Sequence, residues 1–246
     1  MKRTKRAAVA WMAVAVMVIA VLGGCSGKKT SDTVRWFNAS YAILTELNGM
    51  DYNKFGGMAV TDSNKQAVIK LLDDSWGVTD RASADETLEW ALTEGHRADF
   101  VEFMEYLDEI ELTELDEEDW VPFFIYVFET DEDEATFIAD TYSMYLEYGP
   151  EAIDGWDYCR AMNLLSFYYV AGYYTEEEAL DKSLEIAQTF QSKYNSWDEL
   201  VDSYLRGYEY WAEESSDDRR AVYEELKAAS DNPYAVDYNT TLKKTW

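Results

Sequence analysis

The sequence predicts a single compact all-α domain of about nine helices, behind an N-terminal address segment. Three observations carry that reading. Prolines number only three and glycines twelve across 246 residues, so long stretches contain no helix breaker. Apolar residues recur at three- and four-residue steps through most of the chain, and no stretch of strand length alternates at period two. Hydrophobic residues make up 48% of the chain and aromatics 15%, enough to bury a core and to exclude the disordered class despite the charge.

Taken in order, the elements have legible starts and stops. Val34 to Leu47 is a first apolar-periodic segment, stopped by Asn48-Gly49. Asp62 or Ser63 caps a helix running to about Trp76, and Ser83-x-x-Glu86 reads as a capping box for the helix carrying Leu88, Trp90 and Leu92. Gly95 interrupts that helix, and the next carries Phe100, Phe103, Met104 and Leu107. Thr113 and Asp116 offer starts for a segment with Trp120, Phe124 and Phe128. Asp131 or Asp133 opens a helix ended by Gly149-Pro150. Ile153 to Ala171 is apolar nearly all round, which marks a central helix. Thr175-x-x-Glu178 and Ser196-x-x-Glu199 are further capping boxes, and Arg219 to Ala229 is the last helix. The domain is expected over residues 33–230, with 231–246 as a C-terminal tail.

Met1 to Arg6 is basic, Ala7 to Leu22 is an apolar run too short for a membrane span, and Leu22-Gly23-Gly24-Cys25 follows at once. This resembles the lipobox of bacterial lipoproteins. The resemblance implies a signal peptide over 1–24, a lipid on the Cys25 thiol with palmitate-type acylation, and a short tether over 25–32. It places the domain on the extracytoplasmic face of a cell membrane, with the membrane as partner through that anchor. Two or more acyl chains give stable anchoring where one is marginal.

The first 24 residues carry four basic groups and no acidic one, so the rest has 17 basic residues against 49 acidic, a net charge of −32. Such a body is repelled by nucleic acid, which excludes that partner class, and by anionic headgroups, so attachment has to be hydrophobic.

Leu72-Asp73-Asp74-Ser75-Trp76-Gly77, Asp80-Arg81, Leu88-Glu89-Trp90 and Glu94-Gly95-His96-Arg97 stand in that order in the first half. Trp156-Asp157, Arg160, Gly172-Tyr173, Thr175 to Ala179, Ser196-Trp197, Ser203-Tyr204-Leu205, Gly207 and Trp211 follow in the second. Together, from about 60 to 234, they resemble a domain of unknown function, DUF 1266. The acidic stretch from Glu105 to Asp133 departs from that pattern. The resemblance implies no activity.

Chemistry-bearing residues are few. His96 is the one histidine, and any histidine-based catalysis would have to use it. Its place at a helix junction favours a capping or hydrogen-bonding role. Asp157 and Arg160, three apart on a helix that is otherwise hydrophobic, are expected to face one side and pair. With Arg97 they make either a buried network or the floor of a pocket for an anionic ligand. Cys159 reads as a small buried residue. No zinc or EF-hand spacing is present, so no metal and no cofactor is expected, and the acidic runs Asp116 to Asp119 and Asp131 to Glu134 read as solvated faces. These readings favour a non-enzymatic domain that binds an unknown protein or small ligand. The competing reading is a hydrolase or transferase acting on an envelope component, with His96 or a carboxylate in a helix-junction cleft.

Overall fold

A computed structural model describes residues 30–246 apart from 111, 113 and 114. The expected signal peptide, Cys25, most of the tether and the candidate start at Thr113 lie outside the described residues. Those residues form eleven α-helices and one 3-10 turn, and no strand occurs among them. No helix among them is long and apolar enough to cross a membrane.

The first segment is two helices, α1 (Asp32–Ser40) and α2 (Ala42–Leu47). The Ser40 hydroxyl donates back to Phe37 O, and Tyr41 leaves helical geometry at φ −123°. Helix α3 (Asp62–Trp76) is capped by Thr61, one residue before the expected cap. Helix α4 (Arg81–Thr93) also starts earlier than expected, and its capping box joins Asp80 to Ser83. Ser83 has a hydroxyl suited to either role, and the left-handed Gly77 that ends α3 sets the chain to turn into α4 at Asp80. Then come α5 (Gly95–Glu109), α6 (Glu117–Phe128), α7 (Glu132–Tyr148), α8 (Asp154–Ala171), α9 (Glu176–Gln191), α10 (Trp197–Ala212) and α11 (Asp217–Ala228). The two acidic runs open α6 and α7, where carboxylates meet the positive end of the helix dipole.

Helix α8 is the axis of the molecule. Sixteen of its 18 residues are buried, and α3, α4, α5, α9 and α10 pack around it. It crosses α10 at glycines: a Cβ on Gly207 would stand 2.2 Å from Trp156 Cβ, and one on Gly155 would stand 2.8 Å from Leu200 O. Large aromatics fill the rest of this core, among them Trp36, Trp156, Tyr168 and Phe190, each contributing about 1.5–3 kcal/mol by leaving water. Helices α5, α6 and α7 close over a second, smaller core of Phe100, Met104, Trp120, Phe124 and Tyr142. The acidic stretch from Glu105 to Asp133 supplies Leu107, Leu112, Trp120 and Phe124 to this layer.

Residues 231–246, expected as a tail beyond the domain, lie across it. Tyr234, Val236, Tyr238 and Leu242 are buried in the main core. Their backbone carbonyls take hydrogen bonds from side chains: Trp36 Nε1 donates to Tyr238 O at 2.9 Å and Trp197 Nε1 to Val236 O at 2.8 Å. An extended run satisfied in this way has no helical period for the sequence to display.

Candidate functional site

A single residue, Glu94, separates α4 from α5. Two helix ends therefore meet with backbone groups to satisfy: carbonyls at the end of α4 and amides at the start of α5. Glu94 makes no side-chain cap. The cap comes from α8, where Asp157 Oδ1 accepts the His96 amide at 3.1 Å and Oδ2 accepts the Arg97 amide at 3.0 Å. Arg97 folds the other way. Its Nη1 donates to Ala91 O at 2.8 Å, its Nη2 donates to Leu92 O, and Nη1 also reaches Asp157 Oδ2 at 3.3 Å. An anion thus closes the N-terminus of α5 and a cation the C-terminus of α4, each at the dipole end it favours.

Burial by itself would raise the pKa of Asp157, whose side chain is 1% exposed. The His96 ring contact and the two amide bonds outweigh it and hold the carboxyl below its ordinary value. Asp157 is a buried, fully engaged carboxylate.

The anticipated Asp157–Arg160 ion pair does not form. Two amides, a guanidinium and an imidazole draw the carboxylate toward α5, and Arg160 is joined to it only through His96, whose Nδ1 lies 3.1 Å from Asp157 Oδ1 and 3.0 Å from Arg160 Nη1. One nitrogen cannot donate to a carboxylate and accept from a guanidinium at once, so the two contacts are alternatives set by the tautomer. The His96 ring is enclosed by indoles, edge-on to Trp90 at 5.1 Å and near Trp156 and Trp211 at 6.4 and 6.3 Å.

Arg160 is one of the two α8 residues that are only half-buried. Its guanidinium lies 4.3 Å from the Trp76 ring centre, 4.5 Å from Trp156 and 5.7 Å from Trp211. Cation–π contact holds it, and no carboxylate stands within ion-pair distance of it among the described residues. Burial pulls its pKa down to about 10, which leaves it a cation at neutral pH. Arg219 approaches the same Trp156 ring at 6.0 Å; it donates to Tyr204 OH at 2.6 Å and rests 3.9 Å from the Tyr208 ring.

In front of Arg160 opens a cleft of about 460 Å³. Trp76, Trp90 and Trp211 line it from α3, α4 and α10, with His96 and Arg160 from α5 and α8. Ser75, Glu86 and Thr87 complete the lining. Of the residues expected at a site, the structure brings His96 and Arg160 to the cleft and keeps Asp157 and Arg97 behind it as the junction. The indole walls and Arg219 were not anticipated as site residues, because helical spacing assigns Trp76, Trp90 and Trp211 to apolar stripes. Cys159 is buried, and burial pushes its thiol pKa up. No group of three or more His, Cys, Asp or Glu converges as a metal site among the described residues.

Every residue of this cleft and junction falls within 71–238, the span matched by the family model for a protein of unknown function, DUF1266. The chain belongs to the DUF1266 family. No curated protein and no solved structure matches it. Within this DUF1266 domain, several of the residues that carry the sequence resemblance meet in space: Trp76, Trp90, His96, Arg97, Trp156, Asp157, Arg160 and Trp211 are all part of the cleft or the junction behind it.

Proposed function

We propose that this DUF1266 domain is a non-enzymatic binding domain, held at a membrane surface by a lipid on Cys25, whose ligand enters the cleft between Trp76, Trp90 and Trp211. One observation carries the reading: an open, indole-walled cleft receives a cation, Arg160, that no carboxylate neutralises among the described residues. Apolar walls with a few convergent polar groups are what small-molecule sites are made of. The lipobox-like Leu22 to Cys25 supports the tether, and the seven residue-to-residue steps from Cys25 to Asp32 reach at most about 25 Å, which would keep the domain close to the bilayer.

The contact between Asp157 and His96 supports a second reading, a hydrolase or transferase. A carboxylate that orients an imidazole on the wall of a cleft is the arrangement of a general base, and the Ser75 and Thr87 hydroxyls share that cleft. Against it stands the use of both Asp157 oxygens in capping α5. Thermal-shift screening of the full-length protein in detergent against small envelope components separates the two, with mass spectrometry of each compound after incubation. A compound that raises the melting temperature and is recovered unchanged supports the binding domain. Its conversion, abolished by His96→Ala, supports the enzyme.

A further inference from the structure

We infer that the cleft is an anion site, taking a carboxylate or phosphate on the edge of Arg160 and a flat apolar body against the indoles of Trp90 and Trp211. This rests on the reading that the cleft binds a small ligand.

The charge balance is the first argument. Arg97 pairs directly with the buried Asp157 and the buried Asp154 pairs with Lys193, whereas Arg160 reaches Asp157 only through His96 and Arg219 lies against Trp156. Arg160 and Arg219 remain without an acidic partner among the described residues, in a chain of net charge −28 that offers carboxylates almost everywhere else. A half-enclosed cation is costly unless an anion meets it. Aromatic cages often recognise an external cation, but here Arg160 is the cation in the cage, and it would repel another.

Geometry is the second. A guanidinium covered by Trp76 at 4.3 Å and Trp156 at 4.5 Å has its hydrogen-bonding edge left to use. That edge is a fork of N–H donors matched to carboxylate and phosphate. One of its nitrogens, Nη1, sits against His96 Nδ1, which also faces Asp157. An anion that draws Arg160 outward removes the conflict and lets Nδ1–H donate to Asp157 alone. The exposed Glu86 in the lining disfavours a polyanion, and a volume of about 460 Å³ suits one ring with one charged group.

The experiment titrates full-length protein in detergent, at constant ionic strength, with benzoate, phenyl phosphate, inorganic phosphate, benzyl alcohol and choline, following melting temperature and tryptophan fluorescence. Benzoate and phenyl phosphate should saturate at millimolar concentration and bind about tenfold or more tightly than benzyl alcohol, the worth of one charge-assisted contact. Phenyl phosphate should also bind more tightly than inorganic phosphate, and Arg160→Met should level benzoate with benzyl alcohol. Benzyl alcohol binding as well as benzoate, or choline binding better, overturns the anion inference and leaves the cleft as a binding site. Inorganic phosphate matching phenyl phosphate overturns the claim of an apolar body. No saturable response to any probe overturns both the inference and the reading on which it rests. The wild-type series decides these outcomes even where the Arg160 variant fails to fold.

Discussion

The Asp157 carboxylate stands where a side chain of Gly95 would be: a Cβ on Gly95 would lie 2.2 Å from Asp157 Oδ2. The same glycine has φ +62°, a left-handed conformation that other residues adopt at a cost. Both demands come from the junction, because α5 has to start one residue after α4 ends and close on a carboxylate from α8. Gly95→Ala should therefore destabilise by about 3 kcal/mol or more, combining backbone strain with displacement of a buried charge. Gly77 is the control, with φ +65° and nothing within 4 Å of where a methyl would stand, so Gly77→Ala should cost only about 1–2 kcal/mol. Urea denaturation of both variants checks the difference.

Asp157→Asn should cost about 3–5 kcal/mol. The amide keeps one acceptor, but its NH₂ group turns a donor toward another donor at either the His96 or the Arg97 amide. The effect depends on pH with a definite sign. A carboxyl whose folded pKa lies below its unfolded value of about 3.9 stabilises fully above that value and loses the contribution as pH falls through the folded one. The stability gap between wild type and Asp157→Asn should be widest near neutrality and shrink in acid, as thermal melts across pH would record.

Arg160→Met should behave differently from its neighbour one turn away. The guanidinium has no carboxylate to leave unpaired, and an apolar chain of similar length can fill the space between Trp76 and Trp156. Loss of cation–π contact and relief of desolvation oppose each other, so stability should stay within about 1 kcal/mol of wild type. A loss comparable to that of Asp157→Asn would mean that Arg160 is part of the junction and not of a ligand site.

The difference between Asp157 and Arg160 also shows what the sequence could and could not display. Local signals were legible. The Thr175–Glu178 box forms with both of its hydrogen bonds, Ser196 caps α10 although Glu199 turns to the Asn195 amide instead of closing the expected box, and the largely apolar segment from Ile153 is the buried axis. Ser83 misled because Asp80, three residues earlier, competes for the same end of the helix. Spacing along one helix places Asp157 and Arg160 on one face, yet it cannot show that amides from α5 claim the carboxylate first. The cleft is still less visible, since the walls from the consecutive helices α3 and α4 are completed only by α10, far along the chain. One local clue existed at Glu94-Gly95: a helix start with neither Ser, Thr, Asp nor Asn before it needs its cap from elsewhere.

Cys25→Ala tests the tether. Wild-type protein should incorporate labelled fatty acid and lose residues 1–24, and the variant should take up no label and retain them. Unlabelled wild-type protein would remove the lipid anchor from the account without touching the cleft.

The central claim is that ligand occupies the cleft in front of Arg160, and the indole N–H resonances of the tryptophans report on it most directly. Trp76, Trp90 and Trp211 line the cleft, whereas Trp36 and Trp197 are buried and donate to Tyr238 O and Val236 O at the far end of the chain. Titrating ¹⁵N-labelled protein with phenyl phosphate should shift the three cleft indoles along one saturable curve, leave Trp36 and Trp197 in place, and lose the shifts in Arg160→Met. Shifts spread over all the indoles, or cleft resonances that stay still while others move, would contradict the account.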